Sequence, residues 1–155
     1  MGTEAQIAAV VDGYRCRWVI EEYFKALKTG CNYEAREFES MRTLTNFLGI
    51  AAVLAWRLLL IRSLERENSS APATDVVDVD LLEALAGFLK KIGERKPFPA
   101  SPTVRDLMTG IARLGGHITN NGPPGWLVLW RGYKDLLVWA NGFLHAKSIA
   151  YCDQS

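Results

Sequence analysis

Residues 47–61 read FLGIAAVLAWRLLLI, and this run decides the fold because it is apolar on nearly every side of a helix. Such a helix is either covered by neighbouring helices or crosses a membrane. A membrane span is the weaker alternative, because the run is shorter than the roughly 20 residues that a bilayer requires and contains Arg57. We therefore expect a central helix from about Glu39 or Thr43 to Glu67. Within it, Arg57 needs a carboxylate partner or an exit to solvent.

Four further helices are predicted from apolar periodicity and end signals, and no segment longer than a few residues alternates as a strand would. The first helix begins after Thr3, bends or breaks at Gly13 and ends at Gly30. The others are expected at about residues 80–92, from Ser101 and Pro102 to Gly115 and Gly116, and at about residues 126–147. The predicted fold class is therefore all-α, a helical bundle.

The segment Asn68–Thr74 is the best candidate linker, because its residues are small and polar and include a proline. We predict an N-terminal segment over residues 1–67, a linker over 68–79 and a second helical segment over 80–155. A chain of 155 residues with 49% hydrophobic content can form one domain or a small pair. Its net charge of +1 argues against a wholly basic protein that coats DNA.

The cysteines and histidines suggest neither disulfides nor a zinc site. Cys16, Cys31 and Cys152 are odd in number and show no short paired spacing, so we expect a reduced, cytoplasmic protein. His117 and His145 lie far apart without clustered cysteines, and zinc binding is not expected.

One stripe of the first helix combines Tyr14, Arg17, Glu21 and Lys28 within an arc of about 60°. Such a stripe could hold a phosphate backbone beside a metal ion. The ordinary alternative is a solvated face with four-residue ion pairs, of which Arg17 with Glu21 is one and Glu21 with Lys25 another. The opposite face is expected to pack inward through Cys16, Val19, Ile20, Tyr23 and Leu27.

The sequence of residues 14–30, YRCRWVIEEYFKALKTG, resembles the signature helix of bacterial cut-and-paste DDE transposases. The similar branch is the one typified by transposon five, within the insertion sequence four group, where Tyr, Arg, Glu and Lys recur at this spacing. The resemblance continues through residues 41–65 and returns near residues 112–116 and 124–132. Residues 68–100 match only loosely, and Asn120-Asn121 with Pro123-Pro124 replaces an expected charged turn.

The resemblance implies roles for the residues of the stripe. Glu21 would be the third acid of the DDE triad and a ligand of Mg²⁺ or Mn²⁺ in a complete catalytic domain, while Tyr14, Arg17 and Lys28 would bind transposon-end DNA. The two aspartates would lie on a ribonuclease-H-like sheet that this chain lacks. We therefore expect the chain to contain the last helices of the catalytic domain and a helical C-terminal dimerisation domain, and to be inactive alone. No small-molecule substrate and no membrane partner are expected.

The last helix carries an aromatic stripe, Trp126, Trp130, Tyr133 and Leu137, spaced by four, three and four residues. It fits the chain's own core or a partner helix, and the resemblance implies a dimer interface. Two alternatives to a transposase part stay open. One is a truncated stand-alone helical module that self-associates or inhibits an intact transposase, and the other is a helical regulator unrelated to transposition.

Overall fold

The computed structural model describes residues 3–93, 96–118 and 122–152, and it confirms the all-α prediction. Within these ranges the chain forms α1 (Glu4–Lys25), α2 (Met41–Asn68), α3 (Val79–Lys91), α4 (Val104–Leu114) and α5 (Trp126–Cys152), with a π-helical turn at Ala26–Gly30 and 3₁₀ turns at Tyr33–Ala35 and Ala73–Asp75. No strand occurs in them, and Pro72 and Thr103 form an isolated β-bridge.

The helix starts are fixed by side chains that satisfy otherwise unpaired backbone groups. Thr3 begins α1 as predicted, and its backbone N–H donates to Gln6 Oε1 at 2.9 Å. The predicted start of α4 at Ser101 and Pro102 is wrong, because Thr103 is its N-cap. There the Asp106 N–H donates to Thr103 Oγ1 at 3.2 Å, and the Thr103 N–H donates to Asp106 Oδ2 at 2.9 Å.

Of the two glycine signals predicted in the first helix, the one at Gly13 is wrong, whereas the helical turn that continues α1 does end at Gly30. Gly13 lies inside an uninterrupted α1, so it neither breaks nor bounds the helix. The residue that turns the chain after the π-helical turn is Asn32, whose φ of 50° lies in the left-handed region that asparagine tolerates. The predicted stop at Gly115 and Gly116 is confirmed, and Gly116 has the positive φ of 86° that ends α4.

The core lies where α2, α3, α4 and α5 meet. Its largest fully buried side chains come from α2 (Ile61), α3 (Leu85), α4 (Val104, Leu107, Ile111) and α5 (Leu129, Leu136), together with Cys31 from the turn that precedes α2. Helix α4 lies closest to α5, because the position of a Cβ on Gly132 would overlap the carbonyl of Ile111, and one on Gly115 would overlap the carbonyl of Val128. Two glycines therefore set the distance between these helices.

The predicted central helix is present as α2, but neighbouring elements cover only one of its faces. One face is buried through Ala51 and Leu58, whereas Ile50, Val53 and Trp56 are 65%, 59% and 52% exposed. By length and composition α2 is the one described helix that could cross a membrane, and only 22% of its most apolar stretch is buried. One such helix is weak evidence for a span.

Of the two outcomes predicted for Arg57, a carboxylate partner or an exit to solvent, the structure shows the second. The residue is exposed, and its guanidinium donates one hydrogen bond to the Val76 carbonyl at 3.4 Å. The charge therefore remains in contact with solvent, and the cost of burying it is avoided.

The predicted linker is built into the fold. The Ala73 N–H donates to the Pro102 carbonyl at 2.9 Å, and the Val104 N–H donates to the Ala71 carbonyl at 2.8 Å. Ala73 is fully buried, and the core contains side chains from both sides of residues 68–79. The two predicted segments thus share one core, and their division into domains stays a prediction.

The inward face predicted for α1 is only partly present. Tyr23 and Leu27 are half-buried and pack against the core, as expected. Val19 and Ile20 are instead 55% and 56% exposed, and Cys16 is exposed as well. The expectation is wrong for these three because nothing in the described residues covers the N-terminal part of the helix.

Candidate functional site

The second half of α1 brings three of the predicted site residues together at the surface. Arg17 Nε lies 3.0 Å from Glu21 Oε1, with side chains that are 66% and 50% exposed. The Arg17 guanidinium also lies 5.7 Å from the centre of the Tyr14 ring, within reach of a cation–π contact. Tyr14, Arg17 and Glu21 therefore form a connected and solvent-accessible row.

Lys28 does not join this row. Its Nζ lies 3.5 Å from Glu34 Oε1, in the loop that follows the π-helical turn. The π-helical turn contains Lys28 and winds more residues into each turn than an α-helix does. Lys28 is thus paired with Glu34, and its place on the predicted stripe stays a prediction.

The π-helical turn is held in place by α5. Ala26 and Gly30 are buried, and a Cβ on Gly30 would lie 3.5 Å from both the Trp126 carbonyl oxygen and Trp130 Cβ. The Tyr23 hydroxyl donates to the Ala52 carbonyl of α2 at 3.3 Å. These contacts anchor the C-terminal end of α1, so the predicted site stands on a packed base.

The N-terminal part of α1 has no such base. Every described side chain from Thr3 to Glu21 is exposed, and the exposed apolar ones include Ile7, Val10, Val11 and Trp18. The exposed apolar surface continues on α2. Sequence reasoning missed this uncovered surface, although the spacing of Ile7, Val11, Tyr14 and Trp18 by four, three and four residues was available as a signal.

The residues present do not fit a pair of divalent metal ions. Among the described residues, no three His, Cys, Asp or Glu side chains are placed to hold a metal ion. Glu21 is a single carboxylate and is already paired with Arg17. Two metal ions about 4 Å apart need several oxygen ligands, so Glu21 alone cannot hold them.

The predicted dimer contacts lie mostly inside the chain's own core. Trp126, Trp130 and Tyr133 are 4%, 7% and 4% exposed, and Leu137 is half-buried against the same core. The Arg62 guanidinium stacks over the Trp126 ring at 4.5 Å, and burial lowers the pKa of Arg62. Burial likewise raises the pKa of Tyr133. Dimerisation stays a prediction. Because most of these side chains are packed in the chain's own core, they are not available to contact a second copy.

The chain's N-terminal third is similar to a known family. Residues 3–57 match the sequence model of a family described as "Transposase DDE domain". The match contains Tyr14, Arg17, Glu21 and Lys28 and supports a DDE transposase and a part in DNA transposition. Domains of this family generally use divalent metal ions.

Proposed function

We propose that this chain is the C-terminal part of a cut-and-paste DDE transposase of the insertion sequence four branch. The observation that carries the proposal is the exposed row of Tyr14, Arg17 and Glu21 within the matched residues 3–57. The row places a cation, a phenol and a carboxylate within one contact network. Strand transfer requires this combination of phosphate binding beside a metal ligand.

Glu21 supplies one of the three acids that the family's name denotes. Because the described residues contain no cluster that completes a metal site, the other two acids come from another part of the catalytic domain. In a complete domain Glu21 would be one ligand of Mg²⁺ or Mn²⁺, and the metal ion would supply the Lewis acidity for phosphodiester chemistry. The isolated chain neither cuts nor joins DNA, because one carboxylate paired with a guanidinium cannot hold two metal ions.

Tyr14, Arg17 and Lys28 contact the DNA end. Arg17 can donate two parallel hydrogen bonds to phosphate oxygens, and Lys28 adds a point charge on a flexible stem. Tyr14 donates one hydrogen bond or stacks on a base. Since both cations are more than half exposed, they reach a phosphate backbone without rearrangement of the fold.

The uncovered apolar surface supports the idea that the chain works within a larger catalytic domain. Among the described residues, twelve of the nineteen exposed large apolar side chains lie in residues 3–57, but only four of the twenty-three buried core residues do. The matched segment therefore exposes apolar surface while the remainder of the chain forms the core. We assign the missing cover to the part of the domain that carries the two aspartates.

The alternative is a truncated helical module that self-associates or inhibits an intact transposase. The same exposed surface favours it, because a free copy could occupy the place of the corresponding segment in an intact protein. In both cases the partners are transposon-end DNA and a second copy or an intact transposase, and the location is cytoplasmic. Sequencing the DNA upstream of the Met1 codon separates the two: an open frame with strand-borne aspartates supports the first, and a stop or frameshift supports the second.

The test uses duplexes that carry matching transposon ends, incubated with the purified chain at low salt. We expect weak, salt-sensitive binding that falls when Arg17 and Lys28 are both changed to Ala, because two phosphate contacts are lost. Arg105→Ala is the matched control, since Arg105 is equally exposed but lies on α4 beside Glu65. Equal loss in the control, or none in the double variant, contradicts the phosphate-binding role.

The same duplexes, incubated with Mg²⁺ or Mn²⁺, test the inactivity of the isolated chain. We expect no nicked product. Nicking that disappears in Glu21→Ala would show that this chain completes a metal site by itself, and the assignment of the missing acids to another segment would then be wrong.

A further inference from the structure

A cleft lies where α2, the start of α3 and α5 meet, and we call it the α2–α5 cleft. It has a volume of about 510 Å³, and its apolar walls include Leu54 of α2, Leu81 of α3 and Leu137 and Leu144 of α5. Small-molecule sites have volumes of about 300–1,000 Å³ and combine apolar walls with a few well-placed polar groups. The volume of this cleft lies within that range, and its walls also contain polar side chains.

Tyr133 supplies the first polar group of the α2–α5 cleft. The residue lines the cleft and is only 4% exposed, but its hydroxyl has no hydrogen-bond partner among the described residues. A buried tyrosine hydroxyl normally has one. Burial raises the pKa of Tyr133, while the charge of Arg57 lowers it and that of Asp78 raises it. The hydroxyl therefore keeps its proton at neutral pH and lies near both of these charges.

Arg57 and Asp78 bring opposite charges to the walls of the α2–α5 cleft. Arg57 donates to the Val76 carbonyl at 3.4 Å, which is long for a hydrogen bond. Asp78 occupies the N-cap position of α3, but its side chain makes no capping hydrogen bond. In the part of the chain that the structure describes, the two charges form no ion pair with each other. A ligand can therefore lie between them.

The other carboxylate in the walls of the cleft is already neutralised. Asp80 Oδ1 lies 3.2 Å from Lys147 Nζ, which also lies 3.0 Å from Glu83 Oε2. Lys147 therefore holds the Asp80 carboxylate at the surface between α3 and α5. Asp78 is the carboxylate that remains available to a cationic group in the cleft.

The charges of the cleft favour a ligand that carries both signs. A carboxylate without a cation would meet Arg57 and the Tyr133 hydroxyl but would leave Asp78 unpaired beside it. An amine without an anion would pair with Asp78 but would lie beside the Arg57 guanidinium. A zwitterion satisfies all three groups, and its apolar part can pack against the leucines of the walls.

We propose that the α2–α5 cleft binds a small zwitterion with an apolar body, of the class of aliphatic amino acids and their dipeptides. Arg57 and the Tyr133 hydroxyl bind its carboxylate, and Asp78 binds its ammonium group. The ligand is bound and not converted, so it is no substrate. The inference does not depend on the proposed function, because the cleft contains none of the residues assigned to DNA or metal binding.

NMR titration of the isotope-labelled chain at neutral pH tests the ligand class, with leucine and leucyl-leucine as probes. We expect at least one of them to bind with a dissociation constant of about 1 mM or below. Isocaproate is leucine without its ammonium group, and isoamylamine is leucine without its carboxylate. Each should bind at least about tenfold more weakly than the better zwitterion, because one charge of the cleft stays unpaired.

Three substitutions identify the groups that bind each end of the ligand. Tyr133→Phe removes only the hydroxyl and Arg57→Gln removes only the cation, so each should weaken binding of the zwitterion and of isocaproate about three- to tenfold. Neither should weaken binding of isoamylamine. Asp78→Asn should give the opposite pattern, with weaker binding of the zwitterion and isoamylamine and unchanged binding of isocaproate. A general loss of packing would weaken binding of all the probes together.

The matched controls are Arg66→Gln and Asp75→Asn. Both residues are exposed and lie outside the walls of the cleft, Arg66 on α2 and Asp75 in the 3₁₀ turn before α3. Neither change should alter the affinity for the zwitterion more than about twofold.

Four results would overturn the proposal. They are no binding of either zwitterion up to about 10 mM, equally tight binding of isocaproate or isoamylamine, unchanged affinity in Tyr133→Phe, and equal losses in the control variants. None of them bears on DNA binding by Arg17 and Lys28, so failure of this inference is distinguishable from failure of the proposed function.

Discussion

At the scale of single residues, the position of Lys28 depends on a local change of helix type. Its pair with Glu34, at 3.5 Å, is more than half exposed on both sides. An exposed pair of this kind contributes only about 0.2–1 kcal/mol. Lys28 can therefore leave Glu34 at little cost, and in the proposed DNA-binding role Glu34 would compete mildly with a phosphate for this cation.

We expect Glu34→Gln to raise the affinity for transposon-end DNA by about two- to fivefold at low salt, because it removes the carboxylate that holds Lys28. Fluorescence anisotropy with a labelled duplex measures the change. Glu37→Gln is the control, since it removes an equal charge from the same loop, where Glu37 is exposed. If both variants bind DNA equally well, general charge explains the gain and the competition for Lys28 does not exist.

The same residues show what sequence could predict of the candidate site. Tyr14, Arg17 and Glu21 lie in a regular α-helix, and α-helical periodicity predicts their common face correctly. Lys28 follows the change to a π-helical turn, which is stabilised by packing of Ala26 and Gly30 against α5. Such a contact joins residues about a hundred positions apart, so no local pattern contains it.

At the scale of elements, the crossing of α4 and α5 is the tightest contact of the fold. Gly115 and Gly132 leave no room for a side chain, because the backbone carbonyls of Val128 and Ile111 occupy that space. A backbone atom cannot move aside as a flexible side chain can. The crossing therefore tolerates glycine only, unless the two helices separate.

We expect Gly132→Ala to lower the free energy of unfolding by about 3 kcal/mol or more, because the added methyl group forces α4 away from α5. Gly87→Ala, inside α3, should instead be neutral or stabilising by up to about 1 kcal/mol, since its Cβ would meet nothing within 4 Å. Urea denaturation followed by circular dichroism compares them. Similar midpoints for the two variants would mean that the crossing is looser than described.

The elements were largely predictable, and the exceptions have physical causes. The apolar run at residues 47–61 and the glycines at 115 and 116 located α2 and the end of α4. The start of α4 was misplaced because two polar cap candidates lie close together. Thr103 prevails over Ser101 through its reciprocal bonds with Asp106. The prediction that neighbouring helices cover α2 on all sides was wrong, because periodicity shows which residues are apolar and not which elements lie beside them.

At the scale of the whole molecule, stability is unevenly distributed along the chain. Most of the core comes from α2, α3, α4 and α5, with a small part from residues 26–31, whereas every described side chain in the first five turns of α1 is exposed. A helix without tertiary packing is marginal at that length. We therefore expect the N-terminal part of α1 to become more stable when a partner covers it.

Hydrogen exchange should reveal this gradient. We expect amides of residues 5–20 to exchange close to the unprotected rate, while amides around Ile111 and Leu136 exchange orders of magnitude more slowly. Mass spectrometry of peptic fragments measures both regions in one sample. Adding a polypeptide with the strand-bearing part of the domain should protect residues 5–20. Strong protection of that segment in a sample shown to be monomeric would contradict this expectation.

Two backbone hydrogen bonds join residues 71–73 to residues 102–104 and so connect the two halves of the chain. Because these bonds tie the connection between α2 and α3 to the start of α4, the second half of the chain is joined to α2 by backbone hydrogen bonds as well as by the shared core. A partner that covers the exposed surface of α1 and α2 would therefore also hold α3, α4 and α5 in place.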